Sequence, residues 1–147
     1  MKIEKILFPT DFSKGSYQAL PYAVDFSSLY NAKLYIVHII YDFTKAAYSH
    51  IPHISSDQTI NEITAWAEGE IDKCCFEQTR GLSNVEKLVL NGVPHEEIVK
   101  FAEDKKIDII VMGTYGRTGF DKLIFGSTAE RVVRKAPCPV LAVKQAE

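Results

Sequence analysis

Residues 107–128 read Ile107-Asp-Ile-Ile-Val-Met112, then Gly113-Thr-Tyr-Gly116-Arg-Thr-Gly119-Phe-Asp-Lys-Leu-Ile-Phe, then Gly126-Ser127-Thr128. The first six residues are a short, nearly unbroken apolar run, the pattern of a strand buried on both faces of a parallel sheet. A glycine-rich loop follows, and Gly126-Ser127-Thr128 opens a helix predicted to run to about Lys135. Pro137-Cys-Pro139 breaks that helix, and Val140 to Val143 makes a last strand.

Outward from this unit the same alternation repeats. Lys5-Ile-Leu-Phe-Pro9 is a short apolar strand ended by Pro-Thr-Asp, and Ser13 caps a helix running to about Tyr30, with Leu20, Ala23 and Val24 on its apolar face. Pro21 inside it should bend the helix or limit its first turns. Lys33 to Ile40 is a strand buried on both faces, and Tyr41 to Ser56 is aperiodic and reads as a loop. From Asp57 to about Thr79, Ile60, Ile63, Ala67, Ile71 and Cys74 recur at steps of three or four, an amphipathic helix stopped at Gly81. Val85 to Leu90 is a third strand, and Pro94-His95-Glu-Glu opens a helix with Ile98, Val99 and Ala102 facing inward. The order βαβαβαβαβ predicts one α/β domain over residues 1–147, three layers deep, with a five-stranded parallel sheet in the Rossmann-like order 3-2-1-4-5.

Composition narrows the function by exclusion. The chain has 147 residues, is 46% hydrophobic and 24% charged, and its 17 Lys+Arg against 19 Asp+Glu leave a net charge of −2. No broad basic footprint for nucleic acid or an anionic membrane exists in that balance. The longest apolar run, Leu34 to Ile40, is far short of the ~20 residues of a membrane span. Glu4 and Asp11 interrupt any signal-peptide pattern, so a cytoplasmic protein is expected. Cys74, Cys75 and Cys138 form no disulfide framework and fit a reducing compartment. His50-Ile-Pro-His53 lacks further ligands at zinc spacing and reads as part of a polar loop; no metal site in protein side chains is expected.

In open α/β sheets ligands bind beyond the carboxyl ends of the strands where strand order reverses. Strands 1 and 4 are neighbours across that point, and they end in Pro9-Thr10-Asp11 and in Gly113. Glycines at 113, 116 and 119 allow positive φ and close approach of backbone N–H groups to an anion. The free N–H groups and dipole at Gly126-Ser127-Thr128 favour phosphate, and Arg117 adds positive charge. Neither common phosphate loop is present. No Gly-Lys pair exists for a GxxxxGK[ST] loop, and GxGxxG after the first strand is replaced by GxxGxxG after the fourth.

The spacing Gly113-x2-Gly116-x9-Gly126-Ser127 resembles the G-x2-G-x9-G-[ST] signature of the ATP-binding branch of the universal stress protein family. KILFPTDFS, Val37-His38-Ile39, Gly92-Val-Pro-His-Glu-Glu-Ile98 and Ala136-Pro-Cys-Pro-Val-Leu-Ala-Val143 resemble other junctions of that family, so the likeness spans the chain. The resemblance implies the adenine-nucleotide α-hydrolase-like fold and ATP as ligand. It places Asp11 on the ribose, Pro9 and Thr10 at the turn, and Ile39 and Met112 beside adenine. Gly113, Thr114, Gly116, Arg117, Thr118 and Gly119 would wrap ribose and phosphates, and Gly126, Ser127 and Thr128 would hold the β/γ end. Mg²⁺ or Mn²⁺ would be held through the phosphates. It also implies a homodimer paired through the last strand, Val140 to Lys144, an apolar edge of the kind usually covered.

Plainer roles compete at several positions. Asp11 is also a turn or capping residue type, and His38, in an apolar strand, reads as a satisfied core histidine. His95 reads as a first-turn residue near solvent, and Glu103-Asp-Lys-Lys106 as a solvated helix end. Trp66 and Tyr115 are residue types that could touch a partner or a base, although Trp66 sits on an ordinary amphipathic helix. No base for activating water and no Walker-type lysine is evident. The expected function is therefore a nucleotide-dependent regulatory or stress-response switch with slow or no hydrolysis, acting on an unidentified downstream protein. The rivals are an ATP-cleaving or nucleotidyl-transfer enzyme of the same fold, and a protein-interaction module with a vestigial pocket.

Overall fold

The computed structural model describes residues 2–42, 57–115 and 125–144. In chain order the elements are β1 (Lys5–Thr10), α1 (Lys14–Tyr30), β2 (Lys33–Tyr41), α2 (Asp57–Thr79), β3 (Val85–Gly92), α3 (Pro94–Lys105), β4 (Ile109–Gly113), α4 (Ser127–Lys135) and β5 (Val140–Val143). The five strands form one sheet in the order β3-β2-β1-β4-β5, and every neighbouring pair is parallel. The expected α/β architecture and strand order are therefore observed.

Alternating strand residues divide between two apolar layers. Ile6, Phe8, Leu34 and Ile36 pack with Ala19, Leu20 and Ala23 of α1 and Ile71 and Cys75 of α2. Leu7, Tyr35, Val37 and Ile39 face the opposite way, onto Ile98, Phe101 and Ala102 of α3 and Ala129 and Val132 of α4. Burial on both faces is why β1, β2 and β4 read as continuous apolar runs, whereas the edge strands β3 and β5 are half-buried.

Local signals set most boundaries. The Ser13 hydroxyl caps α1 by accepting from the Ser16 N–H, and Asn31, at φ 51°, closes it in the left-handed region. α1 runs through Pro21, which lies on its exposed side and lacks the donor for the Tyr17 carbonyl. Strands overrun the apolar segments: β2 continues to Tyr41 and β3 to Gly92, because Ile40 pairs with Asn91 and Tyr41 with Gly92. β4 starts two residues later than its apolar run, since the Asp108 carboxylate accepts the N–H groups of Glu4 and Lys5 at 2.8 and 2.9 Å. His50 and His53, and the rest of the expected loop from residue 43 to 56, lie outside the described residues.

Two side-chain expectations need correction. On α2 the buried stripe is Ala67, Ile71 and Cys75, with Cys74 half-buried and Ile63 exposed. Steps of four from Ala67 hold one face toward the sheet, and Cys75 therefore takes the core position. Burial, with Cys74 beside it, pushes the Cys75 thiol up to about 11, as suits a packing residue rather than a reactive one. On α3 the inward residues are His95, Ile98, Phe101 and Ala102, whereas Val99 is half-buried.

His95 is thus inside, 8% exposed. Burial first, then the positive charges of Arg131 and Lys135 on α4, hold its pKa below the ordinary 6.5, against the pull of Glu96. The unfolded chain consequently takes up this proton before the folded one. Stability must fall as pH drops below 6.5 toward the depressed folded value, and the His95 contribution is complete above 6.5. His95→Gln is expected to flatten the acid limb of a plot of denaturant midpoint against pH. An unchanged slope would show that His95 is not part of it.

Candidate functional site

The crevice lies where the topology predicts, at the carboxyl ends of β1 and β4. It encloses about 390 Å³ and is lined by Pro9, Thr10 and Asp11 after β1, Ile39 in β2, Met112, Gly113 and Thr114 after β4, and Gly126, Ser127 and Thr128 at the start of α4. These ten are all of the expected site residues that the structure describes. Gly116, Arg117, Thr118 and Gly119 lie outside the described residues.

The β1–α1 turn is held by its own side chains. The Thr10 hydroxyl accepts from the Phe12 N–H at 3.1 Å and from the Ser16 hydroxyl at 2.7 Å. Asp11 Oδ1 accepts from the Ser13 N–H at 3.0 Å. Asp11 therefore does turn-forming work and also lines the crevice. Phe12, with φ 63°, sits in the left-handed region, an uncommon place for a bulky residue. His38 Nδ1 lies 2.8 Å from the Thr10 carbonyl. A carbonyl only accepts, so Nδ1 carries the proton. Phe12 stacks on this imidazole at 4.3 Å. His38 is structural as expected, yet one side of it also lines the crevice.

On the other side of the crevice, Thr114 joins three segments. Its N–H donates to the Val143 carbonyl at the end of β5 (3.0 Å), and its carbonyl accepts from the Gly126 N–H at 2.6 Å. The loop between β4 and α4 is thereby closed at its base and tied to the last strand. Among the described residues the Thr114 hydroxyl has no partner, although it is buried. A buried polar group left unpaired carries a cost of roughly 1–3 kcal/mol. α4 starts at Gly126 with no side-chain cap, and its first N–H groups have no partners within the helix.

The physical reason expected for Gly113 changes. Gly113 is not among the positive-φ residues, and Gly126 has φ −70°. A Cβ on Gly113 would come within 2.6 Å of the Gly15 carbonyl oxygen and 3.1 Å of the Ser16 nitrogen. Gly113 is glycine because the backbone of α1 passes against it.

Trp66 and Tyr115, which the sequence offered as contacts for a partner or base, both line the crevice. Ile63 of α2 and Pro94 and Ile98 of α3 line it as well. Nothing in the sequence marked these three as site residues, since their spacing is that of helix packing and helix starts. Among the described residues no group of His, Cys, Asp and Glu could hold a metal ion, and no helix is long and apolar enough to cross a membrane.

Comparison with known proteins gives a consistent result. Universal stress protein MJ0531 of Methanocaldococcus jannaschii is 35% identical, with 97% of this chain and 82% of that protein aligned. The structure of MJ0577 from the same organism, itself a universal stress protein, is 31% identical, superposes with a TM-score of 0.79 and covers 100% of this chain and 99% of its own. A universal stress protein of Archaeoglobus fulgidus, solved in complex with dAMP, shares the fold (TM-score 0.61, 24% identity, 97% and 98% covered). The model of the universal stress protein family matches residues 2–144. The chain belongs to the universal stress protein family.

Proposed function

We propose that the crevice binds ATP, with Mg²⁺ or Mn²⁺ held through the phosphates, and that residues 1–147 act as one cytoplasmic domain, a nucleotide-dependent regulatory or stress-response switch. The observation that carries this reading is the orphaned Thr114 hydroxyl, buried in the lining of the crevice with the uncapped α4 N-terminus opening onto the same space. An unpartnered hydroxyl beside a helix start that has no side-chain cap suits an oxygen-rich, anionic ligand. Apolar Ile39, Met112 and Ile98 line the same cavity, which suits a ligand with a flat apolar part and a charged end. The dAMP complex of the Archaeoglobus fulgidus protein adds that this fold accommodates an adenine nucleotide.

Asp11 takes the ribose hydroxyls in this reading, Ile39 and Met112 flank the adenine, and Gly113, Thr114, Gly116, Arg117, Thr118 and Gly119 wrap the sugar and phosphates. Gly126, Ser127 and Thr128 hold the β/γ end. Hydrolysis is slow or absent. Among the described residues of the crevice the ionisable groups besides tyrosine are Asp11 and His38, and both are committed to the β1–α1 turn. A second copy of the chain pairs along β5, and the downstream partner acts on the nucleotide-loaded form.

Thr114→Val separates this reading from an empty pocket. Replacing an unpartnered hydroxyl by a methyl group of equal size removes a buried polar cost, so the ligand-free protein is expected to melt higher, by an amount near 1 kcal/mol. The same change removes a ligand contact, so the heat-stabilisation by ATP·Mg²⁺ shrinks. At a hundredfold excess over Kd that stabilisation is about 2.7 kcal/mol in the wild type. A wild-type melting temperature that ATP·Mg²⁺ leaves unmoved overturns the proposal. Rapid conversion of ATP to AMP and pyrophosphate would favour the enzyme.

A further inference from the structure

The crevice has two apolar walls, one from each side of the sheet. Ile39, Met112 and Ala129 belong to the layer beneath α3 and α4. The opposite wall is Ile63 and Trp66, one turn apart on α2. Trp66 is 52% exposed and Ile63 41%, whereas Ala67 and Ile71 on the same helix are buried. Exposed apolar surface gathered inside a concave site marks a place that a ligand covers.

The Trp66 ring is braced rather than loose. It meets Phe12 edge to face at 5.8 Å. Phe12 in turn stacks on His38, which is anchored to the Thr10 carbonyl. Holding Phe12 at φ 63° costs about 1–2 kcal/mol, and such conformations persist where the surroundings over-determine them, often at ligand sites. The Thr10 hydroxyl and the imidazole together do so here. Size decides how many ligands share the space. About 390 Å³ is at the lower end of single small-molecule sites, so one ligand spans both walls.

We infer that Trp66 is a contact residue of the nucleotide site, its ring covering the base from the α2 side. The inference rests on the crevice being that site and adds a specificity to it: a ligand with a planar ring is preferred over one offering phosphates alone. Stacking is tolerant of base identity because every base has a π face. Trp66 therefore supplies affinity for bases in general, and discrimination among them comes from the opposite wall.

Trp66 is the only tryptophan, so tryptophan fluorescence, excited selectively over tyrosine, reads this wall alone. Wild-type protein is titrated with ATP·Mg²⁺, GTP·Mg²⁺ and inorganic triphosphate, and affinities are compared by calorimetry with those of Trp66→Ala and Trp66→Phe, which carry no tryptophan. The expected result is a saturable fluorescence change with ATP and none with triphosphate. Trp66→Ala weakens ATP and GTP by the same factor, about tenfold or more, leaves triphosphate binding unchanged, and Trp66→Phe recovers most of the loss. Equal ATP affinity in the wild type and Trp66→Ala overturns the inference and leaves the nucleotide site standing without Trp66. Equal weakening of ATP and triphosphate also overturns it, since Trp66 would then act on pocket shape. Absence of ATP binding by the wild type removes the nucleotide reading itself, and that outcome is read before any variant is made.

Discussion

Gly113→Val is expected to destabilise the ligand-free protein by about 3 kcal/mol or more. Its Cβ would stand 2.6 Å from the Gly15 carbonyl oxygen and 2.8 Å from the Gly15 carbonyl carbon. Both atoms are backbone in the first turn of α1, which the Ser13 cap and the Thr10–Ser16 hydrogen bond hold in place. Relief would have to come from moving a helix whose Ala19, Leu20 and Ala23 are buried under the sheet. At about 2–4 °C per kcal/mol for a chain of this size, the melting temperature should fall by roughly 6–12 °C. Differential scanning calorimetry without nucleotide checks it, and a drop under a degree would mean that α1 yields freely.

The consequence for function is direct. Loss of nucleotide binding in Gly113→Val would report a displaced α1 rather than a missing phosphate contact. Thr114→Val, which keeps the shape and removes only an unpartnered hydroxyl, is the cleaner probe. A glycine beside a ligand site has two causes that a sequence cannot tell apart: donors approaching an anion, and a neighbouring backbone approaching the glycine. At Gly113 the second operates whether or not the first does.

The fold was legible because β1, β2 and β4 are buried on both faces, which writes each as an apolar run, and because Ser13, Pro94 and Gly126 mark helix starts. Boundaries slipped where the backbone ladder continues without apolar side chains, as at Asn91 and Gly92. The crevice was legible in part for a topological reason: the ends of β1 and β4 meet at the reversal of strand order. For His95 and Trp66 the sequence left the decisive fact open. A histidine beside Glu96 and Glu97 looks solvated, but α4 covers it. A tryptophan among helical repeats fits a plain amphipathic helix and a ligand contact equally, and it lines the crevice because the start of α2 overlooks it. Both cases turn on which element lies opposite a side chain, and that is set by tertiary placement alone.

The dimer proposed along β5 meets the same distinction between a contact and its supports. Leu141 and Val143 are the obvious residues to disrupt, but both pack against the core shared with α1, so Leu141→Asp would damage the protomer before the interface. The ladder shows a better position. The Ile110 N–H donates to the Pro139 carbonyl and the Thr114 N–H to that of Val143, so odd-numbered residues of β5 are turned toward β4. Ala142 lies between them, its backbone groups directed to the open edge by the alternation of a parallel ladder. Ala142→Pro removes an outward donor from each copy, a substitution that edge strands tolerate. At about 0.5–1.5 kcal/mol for each hydrogen bond, two lost donors raise the dimer dissociation constant by roughly 5- to 150-fold. Light scattering at micromolar concentration should show the mass halve while the circular dichroism spectrum and the ATP-induced heat-stabilisation remain. A wild-type mass that is already monomeric would sink the β5 interface, and an unchanged dimer in Ala142→Pro would move it to another surface.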